Sequence, residues 1–209
     1  APSSTAIDLG TGRTAVAVTT GERHTCAILD NGDLKCWGED SYGRLGDGGI
    51  ATNTNAPSST AIDLGSGRTA VAVSAGEYHT CAILDNGDAK CWGRDNQWQL
   101  GDGAIGTDLY APSSTAINLG TGRTAVAVSA GNYHTCAILD NGEAKCWGRG
   151  NEGQLGDGGT NTNQGSPVAV SGGNTWDSST GASSGSGGGS GSATQSNFTA
   201  SIEGADLII

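Results

Sequence analysis

Apolar residues in this chain come in short runs of four to six, rich in Ala, Val and Ile and separated by glycine. No stretch carries the 3.6-residue apolar period of a helix. Residues 5–9, 15–18, 24–29 and 33–38 read as four short strands, with a turn at Gly10-Thr11-Gly12. The opening Ala1-Pro2-Ser3-Ser4-Thr5-Ala6-Ile7 returns at Ala56 and at Ala111, and later landmarks keep the same spacing. The pattern predicts three repeats, 1–55, 56–110 and 111–165, each a propeller blade or solenoid unit.

The repeat is organised by His79-Thr80-Cys81-Ala82-Ile83-Leu84-Asp85-Asn86-Gly87-Asp88-Ala89-Lys90-Cys91-Trp92-Gly93, which recurs nearly unchanged from His24 to Gly38 and from His134 to Gly148. Two strand-like runs flank an Asx-Gly pair, a strong hairpin signal because glycine accepts positive φ without a steric cost. A two-residue Asn-Gly loop would set Cys81 opposite Trp92, leaving the two sulfurs on opposite faces. A three-residue loop, with Gly87 left-handed in a bulge, pairs Leu84 with Asp88 and Cys81 with Cys91. Counting outward, the cysteine pair falls at a non-hydrogen-bonded position, where Cα atoms approach to roughly 4.5 Å. The expected bonds are Cys26–Cys36, Cys81–Cys91 and Cys136–Cys146.

After each hairpin comes a glycine-punctuated loop, Tyr42-Gly43-Arg44-Leu45-Gly46-Asp47-Gly48 in the first repeat and Gly153-Gln154-Leu155-Gly156-Asp157-Gly158 in the third. The order Gly-x-x-His-Thr-x-Ala, Gly, Trp-Gly, Gly-Gln-Leu-Gly-x-Gly resembles the repeat of the regulator of chromosome condensation family, over about residues 1 to 165. The resemblance implies an all-β fold of four-stranded propeller-type blades, usually seven to a ring. Three blades make a partial propeller, or one completed between molecules. Three departures limit the transfer: the cysteine pair belongs to extracellular relatives, Trp98 stands where Gly43 and Gly153 stand, and the repeats number three. Relatives that exchange nucleotide on the Ran GTPase use residues outside the shared motif, so that activity does not carry over. Secreted members act by binding proteins.

Composition sharpens this picture. With 37 glycines, one Phe and no Met, a thick apolar interior is excluded, and stability must come from short ladders, small-residue packing and covalent ties. Three equally spaced cysteine pairs imply an oxidising compartment, so an extracellular or cell-surface location is expected. The formal charge of −11 argues against nucleic acid as a partner. No apolar run nears the 18 residues of a membrane span, and a start on Ala1 without a leader reads as a processed terminus or an excerpt.

Candidate chemistry is sparse. His24, His79 and His134 share the cysteine face, but Cys-x9-Cys across a hairpin suits a disulfide rather than zinc, and a half-buried imidazole bonded to backbone is the plainer expectation. Asp47, Asp102 and Asp157 have the chemistry to bind calcium, yet the EF-hand pattern is absent and such carboxylates often cap their own turns. No cofactor and no catalytic set is expected, because histidine occurs only in the repeated motif. Arg13, Arg68 and Arg123 are expected to pair with nearby Asp, each pair worth under ~1 kcal/mol if exposed. Comparing the three copies, the variable loops carry Tyr42, Trp98 and Tyr110, the aromatic anchors to examine for a binding surface; the alternative is packing onto a neighbouring blade.

Beyond 165, Ser166-Pro167-Val168-Ala169-Val170 reads as the outer strand opening a partial fourth repeat, 166–177. Residues 178–196 have linker composition, and 197–209 read as a strand segment, either donated to a neighbour or opening another domain. Asn197-Phe198-Thr199 is a formal glycosylation sequon. Three blades do not close a ring, and their two end faces derive from one repeat. The expected function is an extracellular structural protein that self-assembles head to tail into a filament or surface layer. The alternative is a non-catalytic module, binding protein or glycan, from a larger secreted propeller.

Overall fold

The computed structural model describes residues 6–49, 52–104, 106–159 and 161–172. Within them the chain is nearly all β. Each repeat contributes an inner strand followed by the cysteine hairpin: β1 (Ala15–Thr20), β2 (His24–Leu29) and β3 (Leu34–Gly38); then β4 (Ala70–Ala75), β5 (His79–Leu84) and β6 (Ala89–Gly93); then β7 (Ala125–Ala130), β8 (His134–Leu139) and β9 (Ala144–Gly148). A tenth strand, β10 (Gln164–Ala169), follows. The one helical element among the described residues is a 3-10 turn at Ser41–Gly43.

All pairings are antiparallel. The sheets run β1-β2-β3, β4-β5-β6 and β7-β8-β9-β10. The hairpin register is the three-residue-loop one: Cys81 faces Cys91, the Leu84 amide donates to the Asp88 carbonyl at 2.9 Å, and Gly87 has φ 82°. All three disulfides form, with Cα separations of 4.0, 4.1 and 4.0 Å.

The expected first strand needs correction. Residues 6–9 are irregular, as are 61–64 and 116–119, and the later two segments serve the preceding blade. The Ile62 amide donates to Leu34 O and the Ile117 amide to Ala89 O, both at 2.9 Å, along the free edges of β3 and β6. Single bridges, Gly38 with Thr54 and Gly93 with Leu109, start these outer straps. Only in the third sheet does the outer member become a full strand, β10, with the Val170 amide bonded to Ala144 O at 3.0 Å. Sequence repeat and structural blade are therefore out of phase, since each blade's outer edge is supplied by the residues that follow it. The segment at 166–170, read as opening a fourth repeat, lies on the third blade; 173–177, the linker at 178–196, the strand segment 197–209 and the sequon lie outside the described residues.

Strand parity places the core between blades rather than within them. Cys26, Ile28 and Leu34 of the first blade pack with Ala82, Leu84 and Trp92 of the second. One repeat on, Cys81, Ile83 and Ala89 pack with Ala137, Leu139 and Trp147. The middle strand β5 has blades on both sides and is buried at every position, whereas β8, covered on one side, alternates half-buried and buried.

Candidate functional site

The joint between blades is polar at its centre. His24 Nε2 lies 2.8 Å from Thr80 Oγ1, and that hydroxyl donates to the Arg44 carbonyl, also at 2.8 Å. The Trp92 indole N–H donates to the same carbonyl at 3.1 Å. The second joint repeats this unit: His79 to Thr135 at 2.8 Å, Thr135 to Gln99 O at 3.0 Å, and Trp147 to Gln99 O at 2.9 Å. A hydroxyl has one proton, and here the carbonyl takes it. The imidazole must therefore donate from Nε2, which fixes the neutral tautomer.

Nδ1 of His24 and of His79 is left buried without a partner. Gly21 and Gly76 lie against these rings, since a Cβ on Gly76 would sit 2.8 Å from His79 Nδ1 and 2.4 Å from Gly131 O. Burial in this apolar, backbone-lined slot pushes the His79 pKa down to about 3 and, with help from the Arg44 charge, that of His24 to about 4. His24 and His79 thus bond to threonine on the next blade rather than to backbone.

Each end of the chain carries half of this unit. Thr25 and Trp37 of the first blade, and His134 and the Gln154 carbonyl of the third, have no such joint among the described residues. Side-chain exposure agrees: Ile7 is 59% exposed where Ile62 and Ile117 are 8% and 7%, and Val18 is 67% exposed where Val128 is 9%. Trp37 is half-buried, whereas Trp92 and Trp147 are fully enclosed.

The turns joining inner to second strands, Gly21 to Arg23, Gly76 to Tyr78 and Gly131 to Tyr133, come together at one end of the blades. Their residues line a concavity of about 370 Å³ that includes Glu22, Glu77 and Asn132. Beside it lies an aromatic and cationic group. Tyr42 meets Tyr78 edge-on with ring centroids 5.9 Å apart, and Tyr78 meets Tyr133 at 5.7 Å. The Arg94 guanidinium carbon sits 4.4 Å from the Tyr42 centroid and 5.0 Å from that of Tyr78, which Arg44 also approaches to 5.0 Å. A hydrogen bond to Glu77, with partial desolvation, pushes the Tyr78 pKa up to about 12, so the ring stays neutral.

Of the three expected anchors, only Tyr42 joins this group. Tyr110, 40% exposed, packs on Gly43, and Trp98 lies over Gly165. Tyr78, Tyr133 and Arg94 were not singled out in the sequence. The available signal was a charge reversal, with Arg94 at the position of Glu39 in the first repeat.

The remaining candidates have local roles. Arg13, Arg68 and Arg123 reach Asp30, Asp85 and Asp140 at 3.3, 3.1 and 3.4 Å. Asp47, Asp102 and Asp157 each accept from the amide two residues on, at 2.8, 2.9 and 3.1 Å. Among the described residues no three His, Cys, Asp or Glu side chains lie together as metal ligands, and no helix is long and apolar enough to cross a membrane. Buried Asp40 and Asp95 escaped notice in the sequence; each bonds the amide five residues on, at Leu45 and Leu100, both at 3.0 Å, tying down the loop after the hairpin.

Comparisons with known proteins agree with this architecture. Models of the regulator of chromosome condensation (RCC1) repeat match residues 15–44, 70–97 and 125–154, and in a second form 31–83 and 86–138. The human E3 ubiquitin-protein ligase HERC2 is 30% identical over 149 residues, 71% of this chain and 3% of that protein. The ultraviolet-B receptor UVR8 of Arabidopsis thaliana is 31% identical over 156 residues, 74% of this chain and 34% of the receptor. Among solved structures, Prp20p from Saccharomyces cerevisiae superposes with a TM-score of 0.67 at 21% identity, covering 76% of this chain and 39% of that one. This chain therefore spans about a third or less of the curated relatives it matches, and it belongs to the regulator of chromosome condensation repeat family of β-propellers.

Proposed function

We propose that this chain is a non-catalytic assembly module of an oxidising, extracellular setting. Its three disulfide-tied blades stack head to tail on further copies, building a filament or surface layer. The observation that carries this reading is the divided joint. The His-Thr-carbonyl-Trp unit closes twice inside the chain, and its complementary halves remain at the two ends, with Thr25 and Trp37 on one face and His134 and the Gln154 carbonyl on the other. Complementary but different faces generate a ring or an open filament according to the rotation between copies. Three disulfides support the oxidising setting. A strand donated from 197–209 would reinforce the contact.

Light scattering on the purified chain at micromolar concentration tests this. Wild type is expected to run well above 20.7 kDa, with Thr25→Val and His134→Phe each shifting it towards the monomer. A monodisperse wild-type monomer would sink the reading.

The coverage figures favour a second reading. Relatives such as UVR8 and Prp20p are about two and a half to three times as long as the matched region, so the missing blades would come from the same protein and the module would act by binding. Prp20p itself was characterised for binding Gsp1p and histones. A monomer that shifts only when a partner is added supports this second reading.

A further inference from the structure

The chain has seven arginines, and six have a carboxylate oxygen within 3.5 Å. Arg94 is the exception among the described residues. In a chain of net charge −11 an arginine without an acid beside it is an outlier. Glu39, which lies beside Arg44, is already engaged, accepting from Arg23, Ser41 and Arg44. Arg94 instead lies against two tyrosine rings, Tyr42 from the first blade and Tyr78 from its own.

Rings against a guanidinium restrict its rotamers and occupy its faces, but they do not use its in-plane N–H groups. Those groups suit the two oxygens of a carboxylate, and a charge-assisted pair of that kind is stronger than a neutral hydrogen bond. Holding the side chain in place beforehand lowers the ordering cost of binding.

We infer that Arg94, flanked by Tyr42, Tyr78 and Tyr133, is a docking point for an acidic segment of a partner protein. The segment places an Asp or Glu carboxylate on the Arg94 guanidinium and neighbouring apolar groups on the tyrosines. Charge complementarity selects the acid, and the partly exposed Tyr-Arg combination, with Tyr42 exposed and Tyr78, Tyr133 and Arg94 half-buried, has the composition of protein-binding hot spots. Its centre, Arg94, follows β6 of the middle blade, whereas the stacking proposed above uses the end faces of the first and third blades.

The test titrates the full chain with the blocked pentapeptide acetyl-Gly-Asp-Phe-Asp-Gly-amide, followed by the backbone amide signals of residues 76–78 and 93–95 in NMR spectra. The matching Asn peptide and glucuronate serve as comparison probes. The Asp peptide is expected to bind at least about tenfold more tightly than the Asn peptide, and more weakly as salt is raised. Arg94→Ala should abolish that preference, Arg94→Lys should reduce it while keeping the charge, and Arg13→Ala, remote and paired with Asp30, should leave it intact. Running the titration on the Thr25→Val variant as well separates this outcome from any failure of assembly. Equal affinity for the two peptides, an unchanged Arg94→Ala titration, a response to glucuronate alone, or no response at millimolar peptide would each overturn the inference.

Discussion

Trp98 holds a left-handed backbone, φ 66°, at a position where the sister repeats carry Gly43 and Gly153. A non-glycine residue there costs about 1–3 kcal/mol in strain. The neighbouring blade edge shows what offsets it. A Cβ on Gly43 would lie 2.5 Å from Tyr110 Cα, whereas the residue matching Tyr110 one repeat later is Gly165, and Trp98 covers it. Large and small residues have exchanged sides between the two joints. Gly165→Tyr alone is expected to destabilise by about 1–3 kcal/mol, and adding Trp98→Gly should recover at least about 1 kcal/mol beyond additivity, read from urea midpoints in a double-mutant cycle. Comparison of the repeats exposed the Trp98 substitution but not its partner, because 98 and 165 meet only once the blade is closed by the following segment.

The histidines give a pH signature at the same scale. Above pH 6.5 His79 is neutral in both folded and unfolded chains. As pH falls below that, the unfolded chain takes up a proton that the buried ring refuses until about pH 3, so stability declines across this window. His79→Gln keeps a donor near Nε2 and removes the titration. Between pH 7 and pH 5, wild type should lose about 2 kcal/mol more than this variant, measured by urea denaturation at each pH. Asp95, pushed up to about 6 mainly by burial, acts in the opposite sense and erodes stability as pH rises from 3.8 towards 6. It is common to both proteins and cancels in the difference.

Among the elements, the hairpin is the part most legible from sequence. Its loop chemistry is local, and the demand that Cys81 face Cys91 selects one register out of two. Each disulfide closes 11 residues, and restricting that loop in the unfolded chain is worth about 2–3 kcal/mol. Replacing Cys81 and Cys91 with Ala should cost more than replacing Cys136 and Cys146, since β5 is buried on both sides and opens a void there, whereas Cys136 is half-buried. Chemical denaturation of the two double variants measures the difference. The outer member of each blade is not legible from the sequence, for a physical reason. Residues 61–64 have strand-like composition, yet their pairing rests on sparse bonds such as Ile62 to Leu34, 28 residues away in the chain, and no local pattern encodes that partner.

At the scale of the molecule, three similar repeats experience different surroundings. The middle blade is sandwiched, and among the described residues the outer ones each have a face without a joint. The family likeness of the repeats made the propeller architecture readable at once. The Tyr-Arg group was not readable, because Tyr42, Tyr78 and Arg94 occupy non-equivalent positions of the repeat and meet only across the joint. The offset between sequence unit and blade has a practical consequence for anyone dissecting the chain. Units overlap like lapped planks, each finishing the edge of the one before it. A protein trimmed after residue 110, at the apparent seam, would leave β6 covered only at Gly93 by Leu109, whereas one trimmed after residue 119 would keep Ile117 and Leu119 on it. Those nine residues should make the longer fragment markedly more resistant to urea and to proteolysis.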